Sequence, residues 1–352
     1  MRTKYVLFIL AVIFFLTVAL AAPAAAQPSK AQLGQKVIRF AHSIPPKKQY
    51  AVGWEWFGSE FEKRTNGRYK VEYYPAGTLF NVAAAFDSVQ ANVGQIANIS
   101  VGQLEKRLPL SNGLLLPTFD FPGTVKGRSA ASKAFMEMYG KFPQLQAEWK
   151  GVKLLGYHQL YPYILASRKK EVYLPEHFKG MKVGGTGAKM KLVSNAGGAD
   201  INQVPPDASM NLDKGVADAC FIAWNQTWDY HLSEVARYFY DFSFSGGGFG
   251  IIMNLDAWNA VSGDDQKIFM EVLTRALEMG EDATYGDEEK GMKAAKDSGA
   301  IVRKPTDTEV AAWRKAAAPI IEQWIADTKK LGAKDPEAIL DEWQRLLQAH
   351  KE

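Results

Sequence analysis

The sequence predicts an α/β fold built as two lobes, and three observations carry that reading. Strand-like apolar runs alternate with helical segments across short Pro- and Gly-marked breaks from Lys36 to Asn254, the pattern of largely parallel sheets. At roughly 100 to 200 residues per domain, the 352 residues predict two domains, and 47% hydrophobic content can fill two cores. Beyond them, no Pro interrupts Asp264 to Ser298, and Ile268, Val272, Leu273, Ala276 and Leu277 recur at helical spacing. That stretch is either one helix about 45 Å long crossing both domains or two helices joined at Gly280 or Gly286.

The elements follow in order. Lys36 to Ser43 is a strand with Val37, Ile38 and Phe40 as its apolar residues, stopped by Pro45-Pro46. Tyr50 to Arg64 is a helix with Val52, Trp56, Phe57 and Phe61 near one face, ended by Asn66-Gly67. Tyr69 to Tyr74 alternates as a strand closed by Pro75-Ala76-Gly77. A helix over Asn81 to Asn92 and a strand over Gln95 to Ser100 come next.

The middle repeats this logic. Val152 to Tyr157 and Tyr163 to Ser167 are strands separated by Leu160-Tyr161-Pro162, and Met181 to Val183 enters Gly184-Gly185-Thr186-Gly187. A helix over Lys189 to Ala196, a segment Ile201 to Val204, a helical turn over Met210 to Val216 and a strand Ala219 to Ala223 follow. A helix near Ser233 to Arg237, the Gly246-Gly247-Gly248 break and a strand Phe249 to Asn254 lead to the long helical stretch. The tail, Thr308 to Thr328 and Pro336 to His350, is amphipathic helix with Trp313, Ile321, Trp324, Ile339, Trp343 and Leu346 as apolar positions.

The N-terminus reads as an export signal. Arg2 and Lys4 precede an apolar run from Val6 to Ala22, and Ala24-Ala25-Ala26 supplies the small residues of a cleavage site, so residues 1–26 are expected to be removed and Gln27 to come first. The alternative, an uncleaved anchor, also places the body outside the cytoplasmic membrane. Cys220 has no partner in the chain, so the fold is expected to hold without a disulfide. Taking Arg2 and Lys4 from 42 basic residues leaves 40 against 38 acidic ones. That balance offers no partner surface for nucleic acid.

A catalytic constellation is not legible. His42, His158, His177, His231 and His350 include no pair at helical metal spacing, and there is no G-x-S-x-G elbow, Walker loop, H-E-x-x-H or G-x-G-x-x-G. Neither a metal nor another cofactor is expected, and an exported hydrolase is disfavoured. Gly184 to Gly187 lies between a strand and a helix, where it is either a structural turn or a set of N–H donors for an anion. An exported two-lobed α/β protein with aromatics at strand ends suits a receptor that closes on a solute, with flat apolar walls for affinity and a few polar groups for specificity. A sensor for a signalling system is the alternative use of the same architecture.

The order of segments resembles the DctP-like solute-binding proteins of tripartite ATP-independent periplasmic (TRAP) transporters over nearly all of the chain after residue 26. The likeness rests on Phe40-Ala41-His42-Ser43 with Pro45, and on Phe61-Glu62-Lys63-Arg64-Thr65-Asn66-Gly67 followed by Val71-Glu72-Tyr73-Tyr74-Pro75-Ala76-Gly77. Phe178-Lys179-Gly180-Met181-Lys182-Val183 and Lys214-Gly215-Val216-Ala217-Asp218-Ala219 complete it. The resemblance implies a periplasmic-binding-protein-like fold with a ligand cleft between lobes and a long helix spanning both. Lobe I would be 36–160 plus 248–287, and lobe II 161–247 plus 288–352. It further implies a periplasmic monomer that hands a small organic acid to permease subunits driven by an ion gradient.

Site residues come over position by position. Relatives end the short strand matched to Lys179 to Val183 with an arginine that clamps the ligand carboxylate, and this chain has Gly184 there. Arg168 is the candidate replacement, with a solvated surface role as its rival, and N–H groups from Gly185 through Thr186 to Gly187 are the other candidate. Tyr163 stands near a further polar contact of relatives. Trp224 would be a stacking wall or a core residue, and Asn225 an orienting hydrogen-bond partner or a helix cap. His42, Ser43, Ser100 and Gln103 follow strand ends, where open α/β sheets bind ligands, although His42 would serve equally as a loop-satisfying residue. With no arginine at 184, aromatic surface at Tyr163, Phe221, Trp224 and Trp228 is expected to favour an aromatic or bulky monocarboxylate over a C4 dicarboxylate.

Overall fold

The structure, a computed structural model, describes residues 35–349; the expected signal peptide lies outside the described residues. Strands β1 (Lys36–Ala41), β2 (Tyr69–Tyr74), β3 (Ile96–Ser100) and β4 (Val152–Gln159) belong to a first sheet, and β5 (Ile164–Ser167), β6 (Lys182–Gly185), β7 (Ala199–Asn202), β8 (Ala219–Ile222) and β9 (Tyr238–Tyr240) to a second. β10 (Gly248–Asn254) returns to the first sheet and β11 (Ile301–Arg303) to the second. Their orders are β2-β1-β3-β10-β4 and β11-β9-β5-β8-β6-β7.

The sheets are mixed rather than largely parallel. β1 runs parallel to β3, and β6 parallel to β7 and β8, yet β10 is antiparallel to β3 and β4, and β5 antiparallel to β8 and β9. The cause is the path of the chain. β4 passes straight into β5, and β9 straight back into β10, with no crossover helix to restore the direction that parallel pairing needs.

Among the helices are α1 (Ala51–Arg64), α2 (Ala85–Gln90), α3 (Val125–Lys141), α4 (Met190–Asn195), α5 (Trp224–Asp229), α6 (Gly263–Asp297), α7 (Asp307–Lys330) and α8 (Pro336–Ala349). α6 is one uninterrupted helix of 35 residues, so Gly280 and Gly286 break nothing. Ser262 caps its N-terminus, accepting from the Asp265 amide, and Asp264 and Asp265 complement the dipole there. It packs on α1 at one end and α5 at the other, each time through a glycine. A Cβ on Gly53 of α1 would lie 1.8 Å from the Ala276 carbonyl oxygen, and one on Gly291 of α6 would lie 1.9 Å from that of Trp224.

Apolar burial follows the layers. Phe40, Trp54, Phe57, Phe61 and Phe269 fill the space between the first sheet and helices α1 and α6. Ile164, Cys220, Trp224 and Phe239 do so under the second sheet, where burial pushes the Cys220 thiol up to about 12. Helix α3 lies in a stretch where the sequence reading placed no element; Thr124 opens it by accepting from the Gly127 amide at 3.1 Å. Helix α8 packs on α3, with Trp343 edge-on to Phe135 and Lys141 2.8 Å from Glu342.

Candidate functional site

Two short segments join the sheets side by side. The Leu160 amide donates to the Gly247 carbonyl at 2.9 Å, Tyr163 to Ser245 at 3.2 Å and Phe244 to Tyr163 at 2.9 Å. The glycine run at 246–248 is required by close packing. A Cβ on Gly246 would meet the Phe121 ring at 2.1 Å, and one on Gly248 the Tyr157 hydroxyl at 1.6 Å.

Beside this crossing lies a cavity of about 290 Å³, walled by the segments that follow β1, β3, β6 and β7. The first sheet contributes Ser43, Ser100 and Gln103, and the second contributes Thr186, Lys189 and Val204 to Pro206. Leu160, Tyr163, Tyr230 and Phe249 supply flat or apolar wall, and Gln226 a further amide. Buried Asn98 on β3 fixes Ser43: its Oδ1 accepts from the Ser43 amide at 2.9 Å while its Nδ2 donates to Ser43 Oγ at 3.1 Å. With its oxygen already accepting, the Ser43 hydroxyl proton is free to point at a solute.

Lys189 was not among the candidates drawn from the sequence. It directly precedes α4, is 4% exposed, and lays its ammonium 3.7 Å from the centre of the Tyr163 ring and 5.9 Å from that of Phe221. The ammonium donates to the Thr186 carbonyl, and among the described residues no carboxylate forms an ion pair with it. Burial lowers its pKa to about 7. A sequence signal existed. Lysine is a poor residue for a helix N-cap, because it cannot accept from the exposed amides and carries the wrong charge for that end of the dipole.

Of the candidates, Ser43, Ser100, Gln103, Tyr163 and Thr186 meet in this cavity, and Asn225 lines a smaller adjoining space of about 60 Å³ with Tyr163 and Gln226. The others lie elsewhere. His42 is packed among Phe40, Trp54 and Tyr73, and burial lowers its pKa to about 4, so it is a neutral core group. Trp224 is a core residue too, stacked on Phe239 with its indole N–H donating to Asp241 at 2.9 Å. Phe221 is buried and Trp228 is exposed; neither walls the cavity. Gly184 and Gly185 lie just behind the wall, where a Cβ would meet Gln203 Oε1 at 2.4 Å or Met190 Sδ at 2.7 Å.

Arg168 is at the wrong end of β5. Tyr163 precedes the strand and Arg168 follows it, a separation of roughly 16 Å at 3.3 Å per residue. Its guanidinium is spent on the Leu212 carbonyl at 2.9 Å, the Asp213 carbonyl, and the Asp213 carboxylate at 3.2 Å.

A cavity held between two sheets at strand ends, with hydroxyls, amides and one desolvated cation in its wall, has the chemistry to hold a small polar solute. The sequence profile of DctP, described as bacterial extracellular solute-binding protein, family 7, matches residues 40–327, and the chain belongs to that family. A solute-binding protein from Albidiferax ferrireducens is 28% identical over 183 residues, 51% of this chain and 52% of that relative. The chain thus spans about half the length of the curated relative it matches.

Among solved structures, the fold is similar to that of a TRAP periplasmic solute-binding protein from Bordetella bronchiseptica with bound (R)- and (S)-mandelate. The TM-score is 0.76 and identity 23%, covering 89% of this chain and 99% of that one. A marine metagenome TRAP solute-binding protein specific for aromatic acid ligands, in complex with metahydroxyphenylacetate, gives 0.79 and 22%, covering 90% and 100%. One from a Sulfitobacter species with bound β-D-galacturonate gives 0.73 and 18%, covering 88% and 100%.

Proposed function

We propose that this chain is the periplasmic receptor of a TRAP transporter, exported by its N-terminal signal, that captures a small organic acid by hinge closure and delivers it to ion-gradient-driven permease subunits without catalytic turnover. The observation that carries this is the cavity itself. Its polar groups come from both sheets and its cation lacks a carboxylate partner, so a bound acid would bridge the lobes and favour their closed arrangement. Flat walls at Tyr163, Tyr230 and Phe249 favour an aromatic or bulky monocarboxylate, and the aromatic acids held by two of the similar structures support that choice over the uronate held by the third.

Thermal-shift screening of the processed protein against aromatic acids, aliphatic acids, uronates and neutral sugars tests the reading. An aromatic acid should raise the melting temperature, with about 2.7 kcal/mol of linkage at 100 times its dissociation constant, and should compact the particle in solution scattering. Stabilisation by neutral sugars alone would contradict it.

A further inference from the structure

We propose that Lys189, laid on the face of Tyr163, is the anion anchor of this cleft, and that it sets a preference for acids carrying one carboxylate. This rests on the reading of the cavity as an organic-acid site. The space in front of Gly184 is closed by Gln203, whose Oε1 accepts from Asn211 Nδ2 at 2.9 Å, so charge cannot enter from that strand position. Five residues on, Lys189 brings an ammonium to the cavity wall from the loop instead.

The chemistry of that ammonium differs from a guanidinium's. It is a point charge without a planar fork, so it holds one carboxylate without the paired geometry that arginine imposes. Tyr163 screens one side of it through its ring and the Thr186 carbonyl accepts from one of its three N–H groups, which leaves donors for a single anionic group. Among the cavity-lining residues Lys189 is the one cation, so a second carboxylate on the solute would be desolvated with no partner.

The same arrangement couples binding to protons. Burial is the cause of the lowered Lys189 pKa, and an incoming carboxylate reverses it by supplying the missing counter-charge. The groups facing Lys189 leave the titration to it. Tyr163 at the crossing and Tyr230 after α5 have phenols raised by burial, and the first sheet presents Ser43, Ser100 and Gln103. On β8 the near side chain is Phe221; on α4, Lys191 lies near Asp327 of α7; Asp229 of α5, raised by burial, is held by Gln49 and Lys48.

Calorimetric titration of wild type, Lys189→Met and Lys189→Arg with benzoate, 3-hydroxyphenylacetate, galacturonate and succinate at pH 6.5 and 8.5 tests the proposal. At least one monocarboxylate should bind wild type, and Lys189→Met should weaken it by about thirtyfold or more. Wild-type affinity should fall by about tenfold or more at the higher pH, as the ammonium deprotonates, while Lys189→Arg shows no pH dependence. Succinate should bind at least about thirtyfold more weakly than the best monocarboxylate. Unfolding of the unliganded variant guards against misfolding: Lys189→Met should melt above wild type, because it removes a buried charge that has no ion-pair partner. Equal acid binding by Lys189→Met, a pH-independent wild-type affinity, or succinate as the tightest ligand would overturn the inference while leaving the receptor reading intact. Failure of wild type to bind any of the four acids would overturn that reading, and the inference with it.

Discussion

Gln203 occupies the space in front of Gly184, its Oε1 2.4 Å from where a Cβ on that glycine would begin. The pair explains a gap in the site. A long cationic side chain at position 184 and Gln203 in its present rotamer exclude one another. Gly184→Ala should therefore push the Gln203 amide off Asn211 and cost about 0.5–1.5 kcal/mol for the lost hydrogen bond. Gln203→Ala in the same chain should recover part of that loss, giving a coupling energy in a denaturant-melt double-mutant cycle. Additive losses would show that the two positions do not compete.

The long helix α6 joins the lobes through two close backbone approaches. Gly53→Ala presses α1 against the Ala276 carbonyl, and Gly291→Ala presses α6 against the Trp224 carbonyl. Each should lower unfolding free energy by about 1–3 kcal/mol, and the two should add because they act roughly 22 Å apart along the helix.

His42 gives a pH prediction. The unfolded chain binds a proton at its imidazole below the ordinary value of 6.5, while the folded protein resists until about 4. Stability present above pH 6.5 is thus lost as pH falls towards 4, by up to about 3 kcal/mol for this group. Glu288, pushed up to about 7 by burial beside Arg128, acts in the opposite sense over an overlapping window. The difference between wild-type and His42→Phe unfolding curves isolates the histidine: the variant should lose less stability between pH 6.5 and 4. Its acid affinity should stay within about twofold, because the ring is packed in the core away from the cavity.

How far the site was legible turns on these residues. Ser43, Ser100 and Gln103 could be placed because strand ends are readable from apolar runs and their stops, and solute sites in α/β sheets collect at such ends. Trp224 and His42 follow strands as well, yet they pack inward, and the one-dimensional pattern does not tell the inward side of a turn from the cleft side. Lys189 is not legible in this way, because a lone lysine beside a helix start reads as surface, and only the fold brings Tyr163 beneath it. In the fold, α1 and β2 were legible through strong periodicity and clear stops, whereas the sequence left α6 open between one helix and two, because a glycine inside a helical pattern reads equally as a break. The antiparallel strands were not, because direction depends on where the chain crosses between sheets.

Arg168 supplies a contrast with Lys189. Its guanidinium ties the strand end to the carbonyls of Leu212 and Asp213, at the far end of β5 from the cavity. Arg168→Ala should leave acid affinity within about twofold, while unfolding free energy falls by about 0.5–1.5 kcal/mol from the lost hydrogen bonds. A loss of affinity tenfold or greater in calorimetry would relocate the anchor to Arg168.

The most direct test is a crystal structure of the protein with the tightest-binding monocarboxylate from the titrations. The carboxylate should lie within about 3.2 Å of Lys189 Nζ, with the body of the acid against Tyr163 in the cavity that Ser43 and Ser100 share. A carboxylate bound at Arg168, or an acid seated outside that cavity with the Lys189 ammonium still on the Thr186 carbonyl alone, would contradict it.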